Sequence, residues 1–285
     1  MGVDARVTVY AKSGQIAETA CAAAFARIAE LDSIMSDYRK DSELMRLCDK
    51  AGGPAVKASI DLFRVLTRAR EVSERSNGAF DVTVGPLIAL WRPARRTGVL
   101  PDPVDIRKAR LLVGWQMMDL NWNTKTVRLR RSGMKLDLGG IAKGYAGDEA
   151  QRVLKKHGIS RAMVEMGGDI VVSGPPPGTK GWTIRVPNAG NSRGPADLQF
   201  ADCAVSTSGD TEQFFVANGV QYSHVVDPRT GIALTNRVQC TIVAKDGLTS
   251  DPLSTAMTVM APSERAGVLN RYKGTKAYVK TLIPK

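Results

Sequence analysis

The chain has 285 residues, 43% of them hydrophobic and 24% charged, an ordinary globular composition with room for one large or two modest domains. Its net charge of +12 attracts anions in general, but the arginines at 92, 95, 96, 128, 130 and 131 form no long block and no stacking ladder, which argues against nucleic acid as a partner. No apolar run reaches the roughly 18 residues of a membrane span, the four cysteines at 21, 48, 203 and 240 form no Cys-x-x-Cys pair, and two histidines exclude any histidine cluster.

Alternation over Arg6 to Tyr10 predicts a strand. Ile16, Ala20, Ala24, Ile28, Leu31 and Met35 recur at three- and four-residue intervals and predict an amphipathic helix. A short helix through Leu44 and Leu47 follows, then a long one from Ser59 to Ser76 that Asn77-Gly78 ends. Pro86 to Asp105, rich in proline and arginine, reads as a loop with one helical turn, and Asp105 to Leu112 as a short helix. Asp119 to Leu129 reads as a hairpin turning at Asn123-Thr124, and Ile141 to Lys156 as a helix. His157, before Gly158, has a structural explanation as a cation in a last helical turn. Strands are then expected at 161–165, 170–173, 182–186, 203–207, 239–245 and 276–281, with a mobile loop over 187–195 and a helix over 252–260. Early helices and late strands without βαβ alternation define an α+β class.

Five segments carry candidate chemistry. Leu136 to Tyr145 ends a strand at Asp137, passes through Gly139-Gly140, and opens a helix bearing Lys143. Free N–H groups at a helix start beside a lysine suit an anion, although the spacing matches neither a Walker A loop nor GxGxxG. In Thr249 to Thr255, Pro252 makes Asp251 a natural helix cap with Ser254 at the third position, while Asp251 and Thr255 one turn apart also suit Mg²⁺. Tyr222 to Gly231 places His224 just before a turn at Asp227 to Gly231. Gly167-Gly168-Asp169 and Ser206 to Asp210 are glycine turns that either line a ligand or only reverse the chain.

Together with Met1-Gly2, Met35 to Leu44 and Gly78 to Leu87, these segments run in one order across nearly the whole sequence, and on them the chain resembles the ApbE family of FAD:protein FMN transferases. The resemblance implies a single domain over residues 1–285, with mostly antiparallel sheets, packed helices, and an FAD cleft between a helix-rich part at about 14–157 and a strand-rich part at about 158–285. FAD as substrate would be contacted by Met1, Tyr38, Ala79, Phe80, Asp81, Asp137, Lys143 and the backbone near Val225. Mg²⁺ would be held by the Gly140 carbonyl, Asp251 and Thr255, and Asp251, His224 or Asp169 would assist deprotonation of the acceptor. The family commonly carries a second carboxylate near the end of the last motif, where this chain has Ser254 and Thr255.

The implied reaction moves FMN from FAD to a Thr or Ser hydroxyl of an acceptor flavoprotein and releases AMP. Hydrolysis of FAD by water and a non-catalytic FAD-binding module are the alternative readings of the same residues. Family members are often exported bacterial lipoproteins, so the resemblance also implies the cell envelope, with a lipid anchor in a leader absent from this chain.

Overall fold

A computed structural model of the protein describes residues 2–187, 189, 194–209 and 214–281. The expectations for Met1, for Asp210 and for most of the 187–195 loop lie outside those residues. In chain order the elements are β1 (Ala5–Val9), α1 (Gly14–Met35), α2 (Glu43–Cys48), β2 (Val56–Lys57), α3 (Ile60–Arg75), α4 (Gly85–Thr97) and α5 (Pro103–Arg110). A 3₁₀ turn at Trp115–Met117 leads into β3 (Met118–Asn121), β4 (Thr126–Leu129) and α6 (Ala142–Lys156). Strands β5 (Ala162–Met166), β6 (Asp169–Val172), β7 (Trp182–Val186), β8 (Ala196–Phe200), β9 (Cys203–Ser208), β10 (Phe214–Ala217), β11 (Val220–Ser223) and β12 (Val238–Ala244) follow. Helices α7 (Gly247–Val259) and α8 (Pro262–Leu269) and strand β13 (Lys276–Thr281) complete the fold.

Local chemistry sets most of these boundaries. Ser13 Oγ accepts from the Ile16 N–H at the start of α1, and Ser59 Oγ from the Leu62 N–H at the start of α3. Asn77 and Gly78, at φ 50° and 74°, turn the chain out of α3 through the left-handed region. The main sheet runs β1-β5-β6-β9-β12-β13 with every pairing antiparallel. Strand β12 is buried at every position, as a central strand covered on both faces should be. Helices α6 and α7 lie against this sheet and each other, with α1 over α6. One apolar core joins Ala20 of α1 to Tyr272 beyond α8, so the early helices and late strands share an interior.

A smaller core explains a correction. The segment read as a loop from Pro86 forms helix α4, with Pro86 in its first turn and Pro93 inside it. Leu87, Trp91 and Ala94 share one buried face against Ile106, Phe215 and Val226, and Trp91 Nε1 donates to the Gly231 carbonyl at 2.9 Å. Burial of that stripe outweighs the hydrogen bond that Pro93 cannot make. Strands β2, β8 and β10 and helix α8 lie outside the elements expected from sequence, and β11 matches the strand end expected just before the turn beyond His224. Asn218-Gly219, with φ 50° and 75°, was the sequence signal for the β10–β11 hairpin.

Candidate functional site

Sheet, α6 and α7 bring three ionisable groups to one buried point. Gly167 and Gly168, with φ 54° and 93°, turn β5 into β6, which opens with Asp169 opposite Ser206 of β9. Lys143 lies in the first turn of α6, its Nζ 2.8 Å from Asp169 Oδ2, 3.5 Å from Asp251 Oδ1 and 3.0 Å from the Gly139 carbonyl. Asp169 is 5% and Asp251 1% exposed, so two buried carboxylates share the ammonium of a lysine that is itself only partly exposed. Burial first and Asp169's charge second push the Asp251 carboxyl up to about 7, against the pull of Lys143 and the Gly144 N–H. Lys143 is itself desolvated, but Asp169 and Asp251 outweigh that cost and hold its ammonium protonated, well above the usual lysine range.

Asp251 does not cap its helix. Helix α7 begins at Gly247, a full turn before Asp251, and Pro252 stands inside it. The N–H groups of Gly247 and Leu248 are taken by the two carboxylate oxygens of Asp148 on α6, at 2.7 and 2.8 Å. A cap supplied across the fold leaves no local signature, which is why the sequence placed the helix start too late. The Asp251 carboxylate instead accepts from the Gly144 N–H at 3.0 Å.

Hydroxyl groups surround these charges. Ser206 Oγ meets Ser250 Oγ at 2.8 Å, and Ser208 Oγ meets Ser254 Oγ at 2.7 Å and Thr255 Oγ1 at 3.2 Å. A Cβ built on Gly140 would stand 3.0 Å from Thr255 Oγ1 and 3.3 Å from the Phe80 ring, so the fold places Gly140, Thr255 and Phe80 together. Among the described residues no group of three or more His, Cys, Asp or Glu side chains is arranged to hold a metal. A cation at Asp251 would therefore need hydroxyl and carbonyl oxygens as well.

A second group lies at the mouth of the glycine turn. Asp137 Oδ1 accepts from the Gly139 N–H at 2.8 Å, and burial with the nearby Asp37 charge pushes its carboxyl above the usual range. Arg92 of α4 bonds to Asp37, lies 3.7 Å from Asp137 Oδ2, and covers the Tyr38 ring at 4.6 Å. Tyr38 is 66% exposed, the most open aromatic ring near the turn. Arg92, one of the arginines that the sequence assigns to a solvated surface, instead joins this candidate group, and the Asp37 and Asp137 carboxylates flanking Tyr38 and the glycine turn are the signal for such a counter-ion.

Other expected contacts sit deeper. The side chains of Ala79 and Phe80 are buried in the main core. Asp81 Oδ1 accepts from the Thr83 N–H and hydroxyl, and Oδ2 from the Trp115 N–H, so its carboxylate ties the 81–83 turn to the 3₁₀ segment. Val225 donates its N–H to Ser223 Oγ, and its carbonyl accepts from Leu234. His224 is half-buried directly after β11. The turn beyond it closes with the Gly231 N–H on the Asp227 carbonyl at 2.8 Å, and Arg229 bridges Asp227 to Glu264.

A lysine between two buried carboxylates, a glycine turn and several hydroxyls thus form one oxygen-lined centre where α6, α7 and the sheet meet. The ApbE family matches residues 1–279, and the chain belongs to that family. It is 34% identical to an FAD:protein FMN transferase of Vibrio cholerae over 236 residues, 81% of this chain and 70% of that protein. A Treponema pallidum protein of the same name is 31% identical over 294 residues, covering 97% of this chain and 81% of its own length. The structure superposes on the apo flavinyl transferase ApbE of Pseudomonas stutzeri with TM-score 0.84 at 27% identity, across 99% of this chain and 92% of that one. It superposes on the flavin transferase ApbE of Vibrio cholerae with TM-score 0.86 at 30% identity, across 97% and 89% of the two chains. The α+β architecture expected from the sequence is the one these relatives share.

Proposed function

We propose that this chain is an FAD:protein FMN transferase, taking FAD as substrate and passing its FMN half to a Thr or Ser hydroxyl of an acceptor flavoprotein. The observation that carries the reading is the Lys143 ammonium, held 2.8 Å from Asp169 and 3.5 Å from Asp251 beside the glycine turn. A fixed, protonated lysine there meets negative charge with little reorganisation, which is what breaking a diphosphate requires. Arg92 and the exposed Tyr38 ring add a cation and a stacking face on the other side of Asp137.

The donor set fits Mg²⁺. Asp251 and Thr255 are one helical turn apart, Thr255 Oγ1 lies against Gly140, and all are oxygen donors of the hard type that ion takes. Asp251, Thr255 and the Gly140 carbonyl would hold it, with Ser254 in place of a second carboxylate and already donating to the Asp251 carbonyl at 2.8 Å. When bound, Mg²⁺ would offset negative charge on the diphosphate oxygens. Lys143 holds its proton and keeps a fixed positive charge beside the glycine turn. The acceptor hydroxyl must lose a proton as it attacks phosphorus and AMP departs. Asp251, Asp169 and His224 are the candidates to receive that proton.

Incubation with FAD, Mg²⁺ and an acceptor domain, followed by flavin fluorescence in a denaturing gel, tests the reading. A covalent flavin band that disappears with EDTA is expected. Release of FMN and AMP with no band on any acceptor would assign hydrolysis instead, and tight FAD binding without turnover would assign a storage module.

A further inference from the structure

We infer that Asp148 is a positioning residue that holds the first turn of α7 in register on α6, and so keeps Asp251 and Thr255 where a cation can use them. The inference rests on the proposed transferase reading and concerns a residue with no place in the motifs of that reading.

Asp148 sits one turn beyond Gly144 on α6, and its two oxygens accept from consecutive N–H groups at the start of α7, Gly247 at 2.7 Å and Leu248 at 2.8 Å. Asp246 occupies the local cap position, yet it makes no side-chain cap bond, and its buried Oδ1 has no hydrogen-bond partner among the described residues. The cap of α7 is therefore supplied by its neighbour. Between the two helices the backbones touch at Gly144 and Gly247, where a Cβ on Gly247 would lie 2.3 Å from the Gly144 carbonyl oxygen. One turn further along α7, Asp251 accepts from the Gly144 N–H at 3.0 Å. Gly144 and Asp148 on one helix thus engage Gly247, Leu248 and Asp251 on the other, all on facing sides one turn apart.

That arrangement fixes rotation as well as distance. A turn of α7 by one residue would swing its side chains by about 100° and carry the Asp251 carboxylate away from Lys143. Asp148 holds the first turn of α7 with two bonds where Gly144 holds Asp251 with one, while the Ser206–Ser250 and Ser208–Ser254 bonds tie the sheet-facing side of the helix. Burial, with Asp246 and Glu149 nearby, pushes the Asp148 carboxyl up to about 7, a cost the fold accepts for a residue whose job is to receive two N–H groups.

The test compares Asp148→Asn with the unaltered protein. Asparagine has one oxygen for two N–H groups and turns an NH₂ against the other. Mn²⁺ binding in the presence of FAD is read from the electron paramagnetic resonance of free Mn²⁺, and FAD affinity without metal from flavin fluorescence. The expected result is Mn²⁺ affinity weakened about tenfold, the usual effect of losing a partner behind the ligands, with metal-free FAD affinity within twofold. Asp148→Glu, which keeps both oxygens, should recover most of the metal affinity and covers the case in which the asparagine variant does not fold. A lowered denaturation midpoint with Mn²⁺ affinity unchanged, or no recovery by glutamate, overturns the inference. Unaltered protein that binds neither FAD nor Mn²⁺ would instead tell against the transferase reading.

Discussion

Gly144→Ala adds a single methyl group at the point where α6 meets α7. The new Cβ would lie 2.1 Å from the Gly247 carbonyl oxygen, 2.5 Å from its carbon and 2.8 Å from the Asp251 Cβ. Close carbon–oxygen approach begins near ~3.3 Å, so the helices must part by roughly 1 Å. Neither obstacle at Gly247 is a side chain that can rotate away, because both atoms belong to a helix backbone. Overpacking of this kind costs about 1–3 kcal/mol. A displacement near 1 Å at a reacting centre can cost ~100-fold in rate. Urea denaturation followed by circular dichroism, together with FMN transfer from FAD at saturating Mg²⁺, measures both effects. Gly267→Ala is the control: Gly267 lies on exposed α8 with nothing within 4 Å of the added Cβ, and alanine there should stabilise by up to about 1 kcal/mol. If Gly144→Ala matched the parent in both stability and transfer, the close register of α6 on α7 would be wrong.

Asp251→Asn keeps one oxygen for the Gly144 N–H but turns an NH₂ towards Lys143, so transfer should fall by at least ~100-fold while the protein stays folded with a loss of about 1–3 kcal/mol; steady-state kinetics with a matching denaturation curve would show it, and normal turnover would return the residue to a structural role. Arg27 bonds Asp61 at 2.5 Å and Glu149 at 2.7 Å between α1, α3 and α6, with Glu149 5% exposed. Arg27→Ala removes one charged partner from each carboxylate but leaves Asp61 the Tyr145 hydroxyl and Glu149 the Arg152 guanidinium, so it should cost about 1.5–3 kcal/mol, with FAD affinity unchanged by fluorescence titration. Burial pushes the thiols of Cys48 and Cys203 up to about 11 and Cys240 up to about 12, above their unfolded value of 9.0. Folding thus favours the protonated thiols, a contribution complete below pH 9.0 and lost as pH rises through about 11. Iodoacetamide at pH 8 should leave the buried Cys48 and Cys240 unlabelled in the native protein and modify them promptly in urea; rapid native labelling would contradict their burial.

Local pattern alone marked the helices at 14–35, 60–75 and 142–156 and most strands, because apolar period, serine caps and glycine stops are properties of neighbouring residues. The same reading found Lys143, Asp169 and Asp251 as members of separate glycine- and aspartate-bearing turns. It could not tell that Asp251 faces Lys143 across 3.5 Å, since that distance depends on β6, α6 and α7 packing together. Helix α4 escaped notice because prolines and arginines obscure a buried stripe whose partners, Ile106 and Phe215, come from later segments.

The start of α7 shows the division most clearly. Sequence identified an aspartate-proline pair as a helix beginning, since a local cap is the commonest solution for free N–H groups. The folded protein fills that need from Asp148, 99 and 100 residues away from the groups it bonds, which releases Asp251 into the helix interior and turns its carboxylate towards Gly144. Residue types and their order thus set which groups were available for chemistry. Packing of α7 on α6 decided which of them are buried, paired and charged, because desolvation and hydrogen bonding depend on neighbours in space.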